Sequence, residues 1–162
     1  MNYTEDAALI ECAGATLVAI LALPDLPADT GVLIIVGGPQ YRAGSHRQFV
    51  HLSRALAAAG YPVVRFDYRG MGDSSGDPRD FLTVDADIAS MVDFMHARVP
   101  QVKNIVLWGL CDGASAALLY CNATQDSRIK GLCLLNPWVR SEVSLAKTQV
   151  KHYYTQRLRQ KA

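Results

Sequence analysis

Five consecutive residues, Gly109-Leu110-Cys111-Asp112-Gly113, have the types and spacing to do chemistry. A nucleophile with a glycine two positions away on either side, between an apolar strand and a small-residue helix, is the pattern of a nucleophile elbow. The requirement is steric. The central residue takes a strained turn, and its neighbours Gly109 and Gly113 must be tiny so that strand and helix can approach each other. The side chain then stands over the helix N-terminus, where free N–H groups and the helix dipole stabilise an anion. Cys111 is the candidate nucleophile, because a thiolate in such a place attacks a carbonyl carbon readily. The N–H of Asp112, the residue after it, is the expected first oxyanion donor. The simpler alternative is a buried structural cysteine at a glycine-rich turn, and the strand before and helix after weigh against it. Ser115 falls inside the first helical turn and reads as helix packing.

A second oxyanion donor is expected from Val36-Gly37-Gly38-Pro39-Gln40-Tyr41-Arg42, which follows another apolar strand. Pro39 has no N–H to give. Gly38 is therefore the first choice and Gln40 the second, with a plain turn as the alternative. Tyr41 and Trp138 are candidates to line the pocket. The stretch Gly70-x-Gly72-x-x-x-Gly76 nearly matches a dinucleotide fingerprint, but Asp77-Pro78-Arg79-Asp80 follows it instead of an apolar helix, which excludes that reading. Asp67 and Arg69 are expected to brace this loop by hydrogen bonds and ion pairing.

These loops need a scaffold that brings strand ends together. Ala7–Glu11 and Thr16–Leu23 alternate as two strands of a hairpin. Gly31–Val36 is a continuous β-branched run, the mark of a strand buried on both faces. Tyr61–Phe66 and Gly131–Leu135 read as further strands and Asn104–Trp108 as a third buried one. Phe49, Leu52, Leu56 and Ala59 recur at helical spacing over Ser45–Ala59, with Gly60 as a stop. Val84, Ile88, Met91, Val92 and Met95 make one stripe of a helix over Val84–Val99, and Ala114–Tyr120 reads as a third helix. A hairpin followed by strand–helix alternation predicts an α/β fold, with a mostly parallel sheet between helical layers. In such sheets chemistry sits beyond the C-terminal strand ends.

The 162 residues suit one domain at about 150 residues each, and 50% apolar with 19% charged is globular composition. A net charge of +1 argues against a nucleic-acid partner. The four cysteines (Cys12, Cys111, Cys121, Cys133) have neither C-x-x-C spacing nor metal-ligand company. They read as reduced thiols of a cytoplasmic protein with no metal and no disulfide framework. The apolar run Cys12–Leu23 is too short to span a bilayer, and no basic residue precedes Arg42 to start a secretory signal. The first 41 residues carry five acids and no Lys or Arg, whereas residues 137–162 carry six bases and one acid. Those bases spread around an amphipathic stretch, Val143–Leu158, and read as a solvated face.

Taken together, the segments resemble the α/β-hydrolase fold and, within it, the exosortase A system-associated hydrolase 1 family. The resemblance rests on Gly-Gly-Pro-Gln-Tyr-Arg (37–42), Gly-Ser-His-Arg-Gln-Phe (44–49) and Phe-Asp-Tyr-Arg-Gly-Met-Gly-Asp-Ser-Ser-Gly (66–76). It continues in Trp-Gly-Leu-Cys-Asp-Gly-Ala-Ser (108–115) and Leu-Asn-Pro-Trp-Val-Arg-Ser-Glu (135–142). It implies a three-layer sandwich and a bacterial hydrolase encoded near exopolysaccharide and protein-sorting genes, without metal or cofactor. It implies no natural substrate; the elbow chemistry itself points to acyl transfer from a small-molecule ester, thioester or lactone. It carries the nucleophile role to Cys111 and the oxyanion positions to Gly38 and Asp112. It also implies an acid and a histidine after two later strands, in the order nucleophile, acid, histidine. The chain stops at Ala162 before those positions, so residues 1–136 are expected to form the front part of the hydrolase core and 137–162 the start of its cap. The last strands are expected to be missing, leaving an exposed sheet edge through which copies could associate. His152 reads as a polar cap residue, His46 and His51 as residues of the helix after the oxyanion loop, His96 as a helix-end residue and Asp126 as a loop residue. A catalytically incomplete chain, or a binding or scaffold protein of the same fold, is the alternative to an active enzyme.

Overall fold

Alternating side chains at the start of the chain make a hairpin. In the computed structural model, which describes residues 1–37 and 40–138, β1 (Tyr3–Cys12) and β2 (Ala15–Pro24) pair antiparallel from Tyr3 opposite Pro24 to Cys12 opposite Ala15. The turn is Ala13-Gly14, both at positive φ (48° and 79°), the twist that a two-residue hairpin connection needs. Four strands follow, β3 (Thr30–Ile35), β4 (Val63–Phe66), β5 (Asn104–Leu110) and β6 (Ile129–Leu135). They run parallel to one another, β4 pairs antiparallel with β2, and the sheet order is β1-β2-β4-β3-β5-β6.

Helix α1 (Gln48–Ala58) joins β3 to β4, α2 (Asp85–Arg98) joins β4 to β5, and α3 (Asp112–Thr124) joins β5 to β6. From β3 the chain steps one way to β4, then returns past β3 to β5. Right-handed crossovers in opposite directions place α1 on one face and α2 on the other. Accordingly α2 touches α3, while Phe49 of α1 meets Trp108 of β5 edge-on, ring centroids 5.7 Å apart. The reversal between neighbouring strands β3 and β5 sends the chain leaving them to opposite faces of the sheet, and such a switch point is where parallel sheets bind ligands. Val84, Ile88, Met91, Val92 and Met95 are all fully buried against the sheet. Burial of each such side chain contributes roughly 1.5–3 kcal/mol.

Two expectations need correction. Ser45–Ala59 is not one helix. Ser45–Arg47 forms a single 3-10 turn in which His46 and Arg47 have φ of 50° and 60°, and the α-helix starts at Gln48. Two successive left-handed residues cannot continue a right-handed helix, and they turn the chain from the β3 loop back along the sheet. The buried positions of α1 are accordingly Phe49, Val50, Ser53 and Ala57, with Leu52 and Leu56 only partly covered and Ala59 exposed. Strand β5 is also not buried on both faces. Ile105 and Leu107 are buried on the side of α3, whereas Val106, Trp108 and Leu110 are half-buried. Their row faces the side of α1, which packs over β2 and β4 instead. β3, by contrast, is buried at every position from Gly31 to Ile35, as its apolar run predicts.

Candidate active site

Cys111 sits between β5 and α3 with φ 52° and ψ −118°, a conformation that L-residues avoid and that holds about 1–3 kcal/mol of strain. The surroundings over-determine it. The Cys111 N–H donates to the Leu135 carbonyl at 2.9 Å, which extends the β5–β6 ladder by one rung. Its carbonyl accepts from the N–H groups of Ala114 (3.0 Å) and Ser115 (3.2 Å), closing the first turn of α3. The flanking glycines have the steric role expected of them. A Cβ on Gly109 would lie 2.5 Å from the Gly113 carbonyl oxygen and 2.6 Å from the Ala114 Cα. One on Gly113 would run into the Ile35 carbonyl oxygen. These are backbone atoms of neighbouring elements, which cannot swing aside.

Among the described residues, no acceptor takes the N–H of Asp112 or Gly113, the first two residues of α3. That leaves two donors at a positive helix end beside Sγ. The chain leaving β3 passes directly over them. A Cβ on Gly37 would stand 2.6 Å from the Gly113 nitrogen and 3.0 Å from that of Asp112. Gly37, which sequence reasoning set aside in favour of its neighbour, is thus the point where the two loops touch. Gly38 lies outside the described residues. The Gln40 side-chain oxygen accepts from Gln48 Nε2 at 3.1 Å, which anchors this loop to α1.

The loop after β4 is braced as Asp67 and Arg69 predict. Asp67, fully buried, accepts from the N–H of Arg42 (2.6 Å) and of Asp73 (3.0 Å), and it pairs with the Arg42 guanidinium. Arg42 also reaches Asp73 Oδ2 at 2.6 Å. The β3 loop is thereby tied to the β4 loop. Arg69 makes a two-pronged pair with buried Asp87 of α2, Nη2 to Oδ2 at 2.7 Å, and its own N–H donates to Oδ1 at 2.8 Å. Tyr68 lies between these two anchors, and its hydroxyl has no hydrogen-bond partner among the described residues. Burial, with the carboxylates of Asp87 and Asp112 adding to it, holds its phenol well above the usual tyrosine range.

On the far side of Cys111, Asn136 at the exit of β6 points Nδ2 at Sγ, 3.6 Å away. Two residues on, the Trp138 carbonyl accepts from Ser115 Oγ. Ser115 therefore does more than pack, since it fastens the segment after β6 to the elbow helix. Tyr41 and Trp138 are each 48% exposed. Sequence reasoning missed Asn136, Arg42 and Asp87 because their partners lie far away in the chain.

The histidines divide as follows. His46 is exposed, its Nδ1 2.9 Å from Ser45 Oγ. His51 is exposed on α1, and His96 is exposed in the last turn of α2, where a positive charge suits the helix dipole. His152 and the Val143–Leu158 stretch lie outside the described residues. Asp126 is a loop residue, as expected, but a committed one. The guanidinium of Arg128 and the Tyr120 hydroxyl hold its carboxyl well below the usual carboxylate range. Among the described residues no cluster of His, Cys, Asp and Glu is disposed to hold a metal, and no helix is long and apolar enough to cross a membrane.

Residues 28–161 match the family described as "Serine aminopeptidase, S33" (Hydrolase_4). The chain belongs to this family. It is 38% identical over 87 residues to the lysophosphatidylserine lipase ABHD12 of Gallus gallus, and 35% identical over 86 residues to that of Danio rerio. Each match covers 53% of this chain and 22% of the relative. Among solved structures, the esterase Pf2001 of Pyrococcus furiosus superposes with a TM-score of 0.71 at 21% identity, over 83% of this chain and 51% of that one. Est1E of Butyrivibrio proteoclasticus, solved with ferulic acid bound, superposes with a TM-score of 0.69 at 26% identity, over 81% and 53%. The family and these neighbours place the chain among the α/β-hydrolases. It spans about a fifth of the length of the curated relatives and about half that of the solved ones.

Proposed function

We propose that Cys111 is the nucleophile of an acyl-transfer site acting on a small-molecule ester, thioester or lactone. The observation that carries this reading is the backbone at Cys111, φ 52° and ψ −118° at the head of α3, with two N–H groups beside its sulfur. In this reading Sγ adds to the carbonyl carbon and the carbonyl oxygen becomes an oxyanion. The Asp112 N–H stabilises it, together with a donor from the β3 loop, Gly38 first and Gln40 second. The contact of Gly37 with the Asp112 and Gly113 nitrogens supports this pairing of loops. The tetrahedral adduct collapses to a thioester on Cys111, the C–O or C–S bond to the leaving group breaks, and water then releases the acid. Tyr41 and Trp138 would flank the acyl group. Five sequence segments support the finer assignment to a hydrolase of a bacterial exopolysaccharide and protein-sorting system, and cysteines without C-x-x-C spacing support a cytoplasmic one.

A second reading, a binding or scaffold protein that keeps the pocket without turnover, draws support from one feature. Among the described residues the side-chain partner of Sγ is an amide, not a histidine. An activated aryl ester, followed by stopped flow and intact-protein mass spectrometry, separates the two. Acylation of Cys111 followed by turnover, both lost in Cys111→Ala, is the result expected of the enzyme. A single burst of product without turnover marks a live thiol lacking its base, and no acylation at all removes the enzyme reading.

A further inference from the structure

We infer that Asn136 is a positioning residue for the nucleophile, a carboxamide N–H that donates to Cys111 Sγ and favours its thiolate. This rests on the reading of Cys111 as nucleophile and goes beyond it by assigning a partner to the sulfur.

Three observations support it. Nδ2 of Asn136 is 3.6 Å from Sγ, within hydrogen-bond range for sulfur, and is the one side-chain donor given to that atom among the described residues. The backbone brings the two residues together. The Leu110–Leu135 register and the 2.9 Å bond from the Cys111 N–H to the Leu135 carbonyl fix residues 111 and 136 side by side. Finally, Asn136 has φ 49°, a left-handed conformation that Asn tolerates better than most residues. An exposed residue held in that region, with its amide on the sulfur, is a placed one. Among the described residues, Cys111 stands at the N-terminus of α3, with the acidic Asp112 in the first turn. A neutral donor adds stabilisation without bringing a base. No covalent bond is made or broken by Asn136 itself.

The test is alkylation of Cys111 by iodoacetamide in the full chain, resolved by peptide mass spectrometry from Cys12, Cys121 and Cys133. In this reaction the Sγ–C bond forms as the C–I bond breaks and iodide leaves. Asn136→Gly removes the amide while tolerating the left-handed backbone. Asn136→Asp keeps the shape but puts a negative acceptor where the donor was. The rate at pH 7 is expected to fall about tenfold in Asn136→Gly and further in Asn136→Asp. All three proteins should converge at alkaline pH, where every thiol is ionised. Equal rates at pH 7 would overturn the assignment, and so would a drop of the same size at every pH, which signals changed access. Should Asn136→Gly fail to fold, as judged by circular dichroism, Asn136→Asp carries the same comparison. Ester turnover that survives Cys111→Ala defeats the acyl-transfer reading alone. An unmoved alkylation profile, with turnover still dependent on Cys111, defeats only the role of Asn136.

Discussion

Two loops leave neighbouring regions of the same sheet edge and are held by opposite physics. The β4 loop is held by charge. Asp67 and Asp87, both fully buried, gather Arg42, Arg69 and three backbone N–H groups. The elbow after β5 is held by backbone contact across Gly109 and Gly113, with no ionised side chain in its bracing. A polar clamp reaches across many residues and tolerates small displacements, but loses its hold when one partner is removed. A steric clamp ignores charge, but an added methyl group breaks it. The arrangement puts the rigid clamp under Cys111 and the long-reaching one around it.

Substitutions should separate the two. The largest loss is expected from Asp87→Ala, which strands the Arg69 guanidinium in a buried place, about 3–5 kcal/mol by urea denaturation. Gly113→Ala should follow at about 1–3 kcal/mol, because its methyl meets the Ile35 carbonyl. It should also slow acylation of Cys111 more than Asp87→Ala does at equal residual fold, since it displaces the nucleophile directly. If Gly113→Ala matches wild type in both stability and acylation, the steric account of the elbow is wrong. A smaller effect belongs to Asp126. Its carboxyl is held below its unfolded value by Arg128, so its contribution is present above that value, about 3.9, and is lost as pH falls through the folded one. Asp126→Asn should therefore narrow the melting-temperature gap to wild type only below about pH 4. A gap that stays constant from pH 7 to pH 2 would remove Asp126 from the acid limb. The smallest stability effect is expected at β6, where Leu132 and Leu135 are 40% and 41% exposed. Leu132→Lys should leave the urea midpoint nearly unchanged, within about 0.5 kcal/mol. If copies associate through this edge, it should also lower the sedimentation coefficient at high concentration.

The elbow was legible in the sequence because its requirements are local: two glycines and a nucleophile within five residues, after a strand and before small residues. The α2 stripe and the buried β3 run were legible for the same reason. The bracing was half legible. Asp67 and Arg69 announce polar work in a loop, but Arg42 and Asp87 lie 25 and 18 residues away, and only the strand order brings them in. Asn136 reaches Cys111 through the β5–β6 register, which no spacing encodes. His46 and Arg47 show a different limit. The apolar stripe begins only at Phe49, so nothing in it marks whether the helix reaches back to Ser45, and the left-handed backbone of His46 and Arg47 starts it at Gln48 instead.

The backbone at Cys111 has one more consequence. Its unfavourable φ and ψ belong to the turn, not to the sulfur, and among the described residues the hydrogen bonds of its backbone go to backbone atoms, with glycines two positions away on either side. The site is thus a socket whose shape is independent of what is plugged into it. Replacing sulfur by oxygen there changes the chemistry while leaving the mount intact, so the nucleophile and its scaffold can be varied as separate parts.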